Sequence, residues 1–183
     1  YFCGFKVNSG EYKLMGLAPY GEPIYFELIK ENLININKDG SFKLNMEYFK
    51  YQRGLKMISS KFYSLFKSKE RFPNEEISKL HIDMAASIQK VLEECVIKIT
   101  KNLNKITSKK NLCLAGGVAL NCVANGKILK NNIFENIWIQ PAAGDAGGSL
   151  GAALAYWYRE LNKTRNNFKD QMRGAYLGPR FNN

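Results

Sequence analysis

The chain has 183 residues, of which 45% are hydrophobic and 23% charged, a composition that supports one compact core and does not require two. Its formal net charge of +11 comes mainly from lysines scattered along the sequence. They lack the arginine and aromatic interleaving that nucleic-acid readers favour, so we expect no nucleic-acid partner and a surface field that favours phosphate-bearing ligands. No apolar run reaches the ~18 residues of a membrane-spanning helix, so we expect no membrane partner and a cytoplasmic location.

The first segment combines an apolar run with a polar, glycine-rich loop. Residues 1–7 predict a short strand, and residues 8–21 predict a loop with a brief helical turn. Glu11 and Lys13 follow Gly10 in this loop. A carboxylate can accept hydrogen bonds from a ribose diol and a lysine can meet a phosphate, so Glu11 and Lys13 are candidate nucleotide contacts. A solvent-exposed ion pair is the alternative.

Residues 24–72 read as a separate excursion of the chain. Apolar positions recur at helical spacing over residues 24–34, and residues 33–37 and 42–45 alternate as in a β-hairpin around a turn at 38–41. Residues 48–72 are aromatic and basic without clean periodicity, which predicts an irregular or partly helical stretch. We expect the whole segment to be an insertion.

A long amphipathic helix is the clearest single element. Asn74, after Pro73, is the predicted N-cap, with Glu75 and Glu76 in the first turn. Apolar residues then recur every three or four positions and predict one face packed on a core. They are Ile77, Leu80, Met84, Ile88, Val91, Cys95, Ile99, Leu103 and Ile106.

Two consecutive units of strand, glycine turn and helix follow. The first comprises a strand at 111–115, a turn at 116–117 and a helix at 118–130, and the second a strand at 136–140, a turn at 141–148 and a helix at 149–161. Tandem units of this kind predict an α/β fold. Because ligands bind at the carboxyl ends of strands in open α/β sheets, the turns around Gly117 and Asp145 are expected to converge on one pocket.

The two glycine turns carry the main functional signal. Adjacent glycines at a helix start expose backbone N–H groups, so an anion or a flat base can approach closely. Glycines that serve only tight turns and helix packing are the alternative for either turn taken alone. Neither turn matches the P-loop or the dinucleotide-binding pattern. The candidate ligand-binding residues are Gly116, Gly117, Val118 and Asn121 in the first turn and Gly144, Gly147 and Gly148 in the second.

Asp145 is a lone carboxylate between glycines in the second turn. As a metal ligand it would need partners from elsewhere, because one carboxylate does not build a site. An N-cap of the following helix is the alternative role.

The cysteines and the histidine give no catalytic pair. Cys3, Cys95, Cys113 and Cys122 have no C-x-x-C spacing, so we expect reduced and mostly buried thiols. Cys122 lacks a histidine partner, because the single histidine, His81, falls inside the predicted long helix. The sequence therefore identifies no catalytic residue.

Three blocks together carry a family resemblance. Residues 9–21, 114–122 and 144–153 resemble successive blocks of the NodU/CmcH carbamoyltransferases, and residues 176–179 resemble the family's exit from this domain. The resemblance covers most of the chain except about 24–72. It implies that residues 1–175 are the second half of an ASKHA-type (actin and sugar-kinase-like) domain, an RNase H-like α/β subdomain with a mixed sheet and flanking helices. It also implies that residues 176–183 link to a downstream domain, and that an amino-terminal half lies elsewhere in the same polypeptide.

The resemblance also implies a chemistry. ATP and carbamoyl phosphate would give a carbamoyl-adenylate plus pyrophosphate, and the carbamoyl group would pass to a hydroxyl of a small-molecule acceptor. Asp145 resembles the aspartate that helps to hold a divalent metal, iron or similar. Asn121 with Gly116 and Gly117 resembles the adenosine-binding turn, Glu11 the ribose-binding acid, and Lys13 a phosphate contact.

One departure limits what the chain is expected to do alone. The family's metal is also held by an H-x-x-x-H pair, whereas His81 is followed four residues later by Ala85. We therefore expect this chain by itself neither to bind metal tightly nor to turn over. The alternatives are an ASKHA-type kinase and a tRNA-binding relative of the threonylcarbamoyl-transfer proteins. The sequence indicates neither the acceptor nor the oligomeric state.

Overall fold

The computed structural model describes residues 1–165 together with Pro179 and Phe181, so the predicted linker at 176–183 lies almost wholly outside the described residues. The helices are α1 (Glu11–Leu17), α2 (Phe26–Asn32), α3 (Ser60–Phe66), α4 (Lys79–Thr107), α5 (Cys122–Lys130) and α6 (Gly148–Ala155). The strands are β1 (Ile34–Ile36), β2 (Phe42–Leu44), β3 (Asn111–Leu114) and β4 (Asn136–Ile139). Short 3₁₀ turns occupy Ala18–Tyr20, Met46–Tyr48, Gly117–Leu120 and Asp145–Gly147, and a π-helical turn occupies Tyr156–Glu160.

The predicted strand at residues 1–7 is wrong. The chain runs there in turns, with Gly4 at a φ of +77°, and it pairs with no strand of the described residues. Phe2 is buried instead, with its ring centroid 5.2 Å from that of Phe62 and 6.0 Å from that of Phe66. The apolar run is therefore held by the packing of Phe2 in an aromatic cluster and not by strand pairing.

The predicted hairpin is confirmed. β1 and β2 pair antiparallel, with Ile34 opposite Leu44 and Ile36 opposite Phe42, and Gly40 turns the chain at a φ of +88°. Residues 24–72, which we expect to be an insertion, are not peripheral, because they supply half of the larger core. That core contains Phe2, Cys3, Ile29, Leu33, Ile58, Phe62, Phe66, Met84, Val91 and Cys95.

The long helix begins later than predicted. Ser78, not Asn74, is the N-cap of α4, and its N–H donates to Nδ1 of His81 at 3.2 Å. Residues 72–76 do not join the helix, because the Arg71 guanidinium draws the carbonyl oxygens of Phe72 and Glu75 toward itself. The hydrogen bonds of the buried Arg71 guanidinium therefore outweigh the local capping preference of Asn74.

The apolar face of α4 packs on a core over only part of its length. Met84, Val91 and Cys95 are buried as predicted. Beyond them, Ile99 is 41% exposed and Ile106 69% exposed, so the last turns present apolar side chains that the described residues leave uncovered. The amphipathic pattern is real, but the described core ends before the pattern does.

The second unit is smaller and is built on a parallel strand pair. β3 and β4 pair in parallel, with Leu112 opposite Ile137, and a core of Leu112, Ile128 and Phe134 forms beneath them. The α/β class is thus confirmed. The expected mixed sheet is wrong for the described residues, where the strands form two separate two-stranded sheets.

Within this part of the chain, no helix has both the length and the apolar character needed to cross a membrane.

Arg71 should be essential for stability. Its buried guanidinium donates from Nε to the Cys3 carbonyl oxygen at 2.8 Å and from an Nη to that of Phe72 at 3.0 Å, which ties the amino-terminal turn to the approach to α4. Arg71→Leu leaves these carbonyls unpaired and should lower the free energy of unfolding by about 3 kcal/mol in urea denaturation. The exposed Arg53→Leu should change it by less than about 0.5 kcal/mol. Equal effects of the two variants would contradict this account.

His81 should make stability depend on pH. Burial, and then the positive charge of Arg71, lower the pKa of His81 below its ordinary value of 6.5, against a weaker opposite effect of Glu75. The unfolded chain then takes up a proton more readily than the folded one, so stability is present above about pH 6.5 and is lost as the pH falls below it. We expect a lower unfolding free energy at pH 5.5 than at pH 7.5, and a smaller difference in His81→Gln. A wild-type value that is flat over this range would contradict the prediction.

Candidate functional site

The two glycine turns lie side by side, as the sequence predicts. Because β3 and β4 are adjacent and parallel, both turns leave the same edge of the strand pair. The backbone continues the pairing past the strand ends: Gln140 N donates to Leu114 O at 3.1 Å and Gly116 N donates to Ala143 O at 2.7 Å. One surface at the carboxyl edge is therefore formed by residues from both turns.

The first turn passes directly into a helix. Gly116 has a φ of +102°, a conformation that L side chains rarely adopt, and the 3₁₀ turn Gly117–Leu120 follows. Asn121 is the N-cap of α5, and its Oδ1 accepts a hydrogen bond from Ala124 N at 3.0 Å. Val118 lies between them and is 57% exposed.

Glycine is required by the fold at only some positions of the turns. A Cβ at Gly147 would lie 2.1 Å from Ala142 O, so packing excludes a side chain there. At Gly117, Gly144 and Gly148 a Cβ would meet no atom of the described residues within 4 Å, and none of the three has a positive φ. The positive φ of Gly116 and the close packing of Gly147 thus explain glycine at these two positions. At Gly117, Gly144 and Gly148, the missing side chain leaves the backbone accessible from outside.

Asp145 stands alone at the start of the second turn. It is the first residue of the 3₁₀ turn Asp145–Gly147 and is exposed, while the N-cap of α6 is Gly147 without a side-chain hydrogen bond. The N-cap alternative for Asp145 is therefore wrong. Among residues 1–165, Pro179 and Phe181, no group of three or more His, Cys, Asp or Glu side chains could hold a metal ion. A single carboxylate does not complete a metal centre within these residues, and we assign no catalytic step to a metal.

A polar network that the sequence did not reveal connects α4 to the first turn. Gln89 donates from Nε2 to Asn121 Oδ1 at 3.1 Å and accepts from Asn121 Nδ2 at 2.9 Å. Gln89 Nε2 also donates to Glu93 Oε1 at 3.0 Å, and the other oxygen of Glu93 pairs with Lys127 of α5. Glu93 is only 6% exposed. The one available signal was the spacing of Gln89 and Glu93, which lie four positions apart beside the apolar face of α4.

Glu11 and Lys13 make no polar contact with the glycine turns in the described part of the chain. Glu11 begins α1, its Oε1 accepts from Asn8 N at 2.9 Å, and it lines a separate apolar cavity of about 350 Å³ together with Met84. Lys13 Nζ lies 5.9 Å from the centroid of the Tyr12 ring. Within the described part of the chain, no hydrogen bond or ion pair joins either residue to a turn, and the two do not pair with each other.

The cysteines divide into two pairs by exposure. Cys3 and Cys95 are buried, and Cys113 and Cys122 are exposed, so the expectation of mostly buried thiols holds for half of them. Burial raises the pKa of the Cys3 thiol to about 11. Cys122 begins α5, whereas the His81 ring lies 6.0 Å from that of Phe2, so Cys122 has no histidine partner within the described residues. The thiol of Cys3 contacts His81 only through the His81 carbonyl oxygen, at 3.7 Å.

Comparison with known proteins identifies the family. The model of the family described as "Carbamoyltransferase N-terminus" matches residues 1–154. The chain thus belongs to the carbamoyltransferase family, a family of transferases.

Individual relatives agree with this assignment. A protein of Synechocystis, described as uncharacterized protein sll1178, is 55% identical over 184 residues, which is 100% of this chain and 30% of that protein. Nodulation protein NolNO of Sinorhizobium fredii is 36% identical over 92% of this chain and 23% of its own length. Nodulation protein NolO of Bradyrhizobium diazoefficiens is 34% identical over 94% and 29%, respectively. The chain spans less than a third of each of these relatives.

Two alanine substitutions should separate structural from open glycines. Gly147→Ala forces its Cβ onto Ala142 O and should lower the free energy of unfolding by about 1–3 kcal/mol. Gly148→Ala lies in open space at helical dihedrals, φ −62° and ψ −37°, and should leave stability unchanged or raise it by up to about 1 kcal/mol. Urea denaturation of both variants measures the difference. Equal destabilisation would show that Gly148 is also held by packing.

Proposed function

We propose that this chain supplies part of the ATP site of an O-carbamoyltransferase. In the full-length enzyme, ATP, carbamoyl phosphate and water would yield a carbamoyl-adenylate, pyrophosphate and inorganic phosphate, and the carbamoyl group would pass to a hydroxyl of a small-molecule acceptor. We assign the chain to the second half of an ASKHA-type domain. Membership of the carbamoyltransferase family supports carbamoyl transfer, and the geometry of the glycine turns supports a nucleotide as the ligand of this part.

One observation carries the nucleotide assignment. Gly117, Gly144 and Gly148 are open at the edge where parallel β3 and β4 end, although nothing in the described residues requires glycine there. An absent Cβ lets a ligand touch the backbone, and the amino ends of α5 and α6 add N–H groups that suit phosphate oxygens. A nucleotide offers both a flat base and phosphates, so one ligand uses both turns.

Individual residues take the following roles in the proposal. Gly116, Gly117 and Val118 meet the adenosine, and Gly144, Gly147 and Gly148 form the phosphate side of the site, where the N–H groups of Gly147 and Gly148 already donate to Gly144 O and Asp145 O. Glu11 and Lys13 are proposed contacts to ribose and phosphate. Asp145 is proposed as one ligand of a divalent metal, iron or similar, whose remaining ligands lie outside the described residues.

The chemistry follows from the adenylate. The carbamoyl carbon is more electrophilic in the adenylate than in free carbamate, and AMP is a good leaving group. The acceptor oxygen then forms a bond to that carbon while the bond to AMP breaks. AMP departs with the electron pair, and the hydroxyl proton passes to solvent. Preorganised N–H donors at the turns stabilise the negative charge that develops on the phosphate side.

The full-length enzyme provides the test. We expect release of pyrophosphate that requires both ATP and carbamoyl phosphate, whereas an ASKHA-type kinase would release ADP. Gly117→Ala and Gly148→Ala should each weaken binding of a non-hydrolysable ATP analogue by about tenfold or more, because a methyl group intrudes on the ligand while stability is unchanged. Gly126→Ala, on α5 and likewise in open space, is the matched control and should bind as the wild type does.

Two results would refute the proposal. One is a full-length enzyme that binds no ATP analogue in calorimetry. The other is analogue affinity that is the same in Gly117→Ala, Gly148→Ala and the Gly126→Ala control. Steeply salt-dependent tRNA binding by the same protein would favour the tRNA-binding alternative instead.

A further inference from the structure

The side chain of Asn121 is already occupied inside the chain. Its Oδ1 accepts from Ala124 N at 3.0 Å and from Gln89 Nε2 at 3.1 Å, and its Nδ2 donates to Gln89 Oε1 at 2.9 Å. Turning this carboxamide toward a ligand would break the α5 cap and the two bonds to Gln89 in a partly buried place. Asn121 is therefore poorly suited to contact a nucleotide directly.

Gln89 is in turn fixed from the other side. Its Nε2 donates to Glu93 Oε1 at 3.0 Å, and Glu93, buried in α4, pairs through its other oxygen with Lys127 of α5. Both hydrogens of the Gln89 amide and its oxygen are thus used, so its orientation is set by three hydrogen bonds to two residues.

We infer that Gln89 is a positioning residue for the first glycine turn. It holds the Asn121 carboxamide as the cap of α5, and through this cap it fixes the backbone at 116–120, which then meets the nucleotide. The inference rests on the proposed function, because it names how that ATP site is held in place. It also replaces the direct adenosine contact that the resemblance implies for Asn121.

The arrangement explains why a carboxamide is needed at position 89. Gln89 must donate to both Asn121 Oδ1 and Glu93 Oε1 while accepting from Asn121 Nδ2. A glutamate at this position has no hydrogen to donate when ionised, and its charge would face the carboxylate of Glu93. Repulsion by Glu93 raises the pKa of such a glutamate, and protonation would restore one donor. The variant should therefore recover as the pH falls.

Calorimetry on the full-length enzyme with a non-hydrolysable ATP analogue tests the inference. Gln89→Ala and Asn121→Ala should each weaken binding by about tenfold, and the double variant no more than either alone, because the two residues act as one unit. Gln89→Glu should bind more weakly than the wild type at pH 8 and recover part of the lost affinity at pH 6, measured as the ratio of the variant and wild-type Kd values at each pH. Gln52→Glu, in an exposed loop, is the matched control with a ratio near one at both pH values. Thermal melting checks that each variant is folded.

Each outcome decides the inference. Additive losses in the double variant, or a loss confined to Asn121→Ala, would mean that Asn121 touches the nucleotide itself, and would overturn it. A Gln89→Glu affinity ratio that does not change with pH would overturn it as well. A wild-type enzyme that binds no analogue would remove the proposed function and the inference together, whereas wild-type binding with unaffected Gln89 variants removes the inference alone.

Discussion

The parallel pairing of β3 with β4 is the constraint on which the candidate site depends. Strands that run in the same direction end at the same edge, so two turns separated by more than twenty residues in sequence become neighbours. The bond from Gly116 N to Ala143 O extends this pairing into the turns themselves. Were the strands antiparallel, the turns would lie at opposite ends, and no surface would be shared between Gly117 and Gly148.

Helix α4 connects this pair to the rest of the described chain. One of its faces contributes Met84 and Val91 to the larger core. The aromatic side chains of that core are Phe2, Phe62 and Phe66. A neighbouring face carries Gln89 and Glu93, whose bonds to α5 hold the first glycine turn. Hydrophobic burial thus places the helix, and a small set of partly buried hydrogen bonds transmits that placement to the turn.

Glycine and carboxylate have different value as functional signals in this chain. Packing against Ala142 requires glycine at position 147. No contact among the described residues requires glycine at positions 117 and 148, so these two glycines indicate an external ligand more strongly. Asp145 resembles a metal ligand in the sequence, yet no group of three or more His, Cys, Asp or Glu side chains among the described residues could hold a metal ion. The backbone of the turns therefore carries more of the functional assignment than any charged side chain.

Local patterns in the sequence were sufficient for the hairpin around Gly40, for the strands and glycine turns of the second unit, and for the amphipathic character of α4, because each depends on neighbours within a few positions. Only the tertiary structure decided that residues 1–7 pack as an anchor without strand pairing and that Ser78 replaces Asn74 as the cap. It also decided that the apolar face of α4 is buried as far as Cys95, whereas Ile99 and Ile106 are exposed. The bond between Gln89 and Asn121 spans 32 positions, and no local signal specifies it. These features depend on side chains brought together through space, by burial and by the hydrogen bonds of partly buried polar groups, which sequence spacing does not encode.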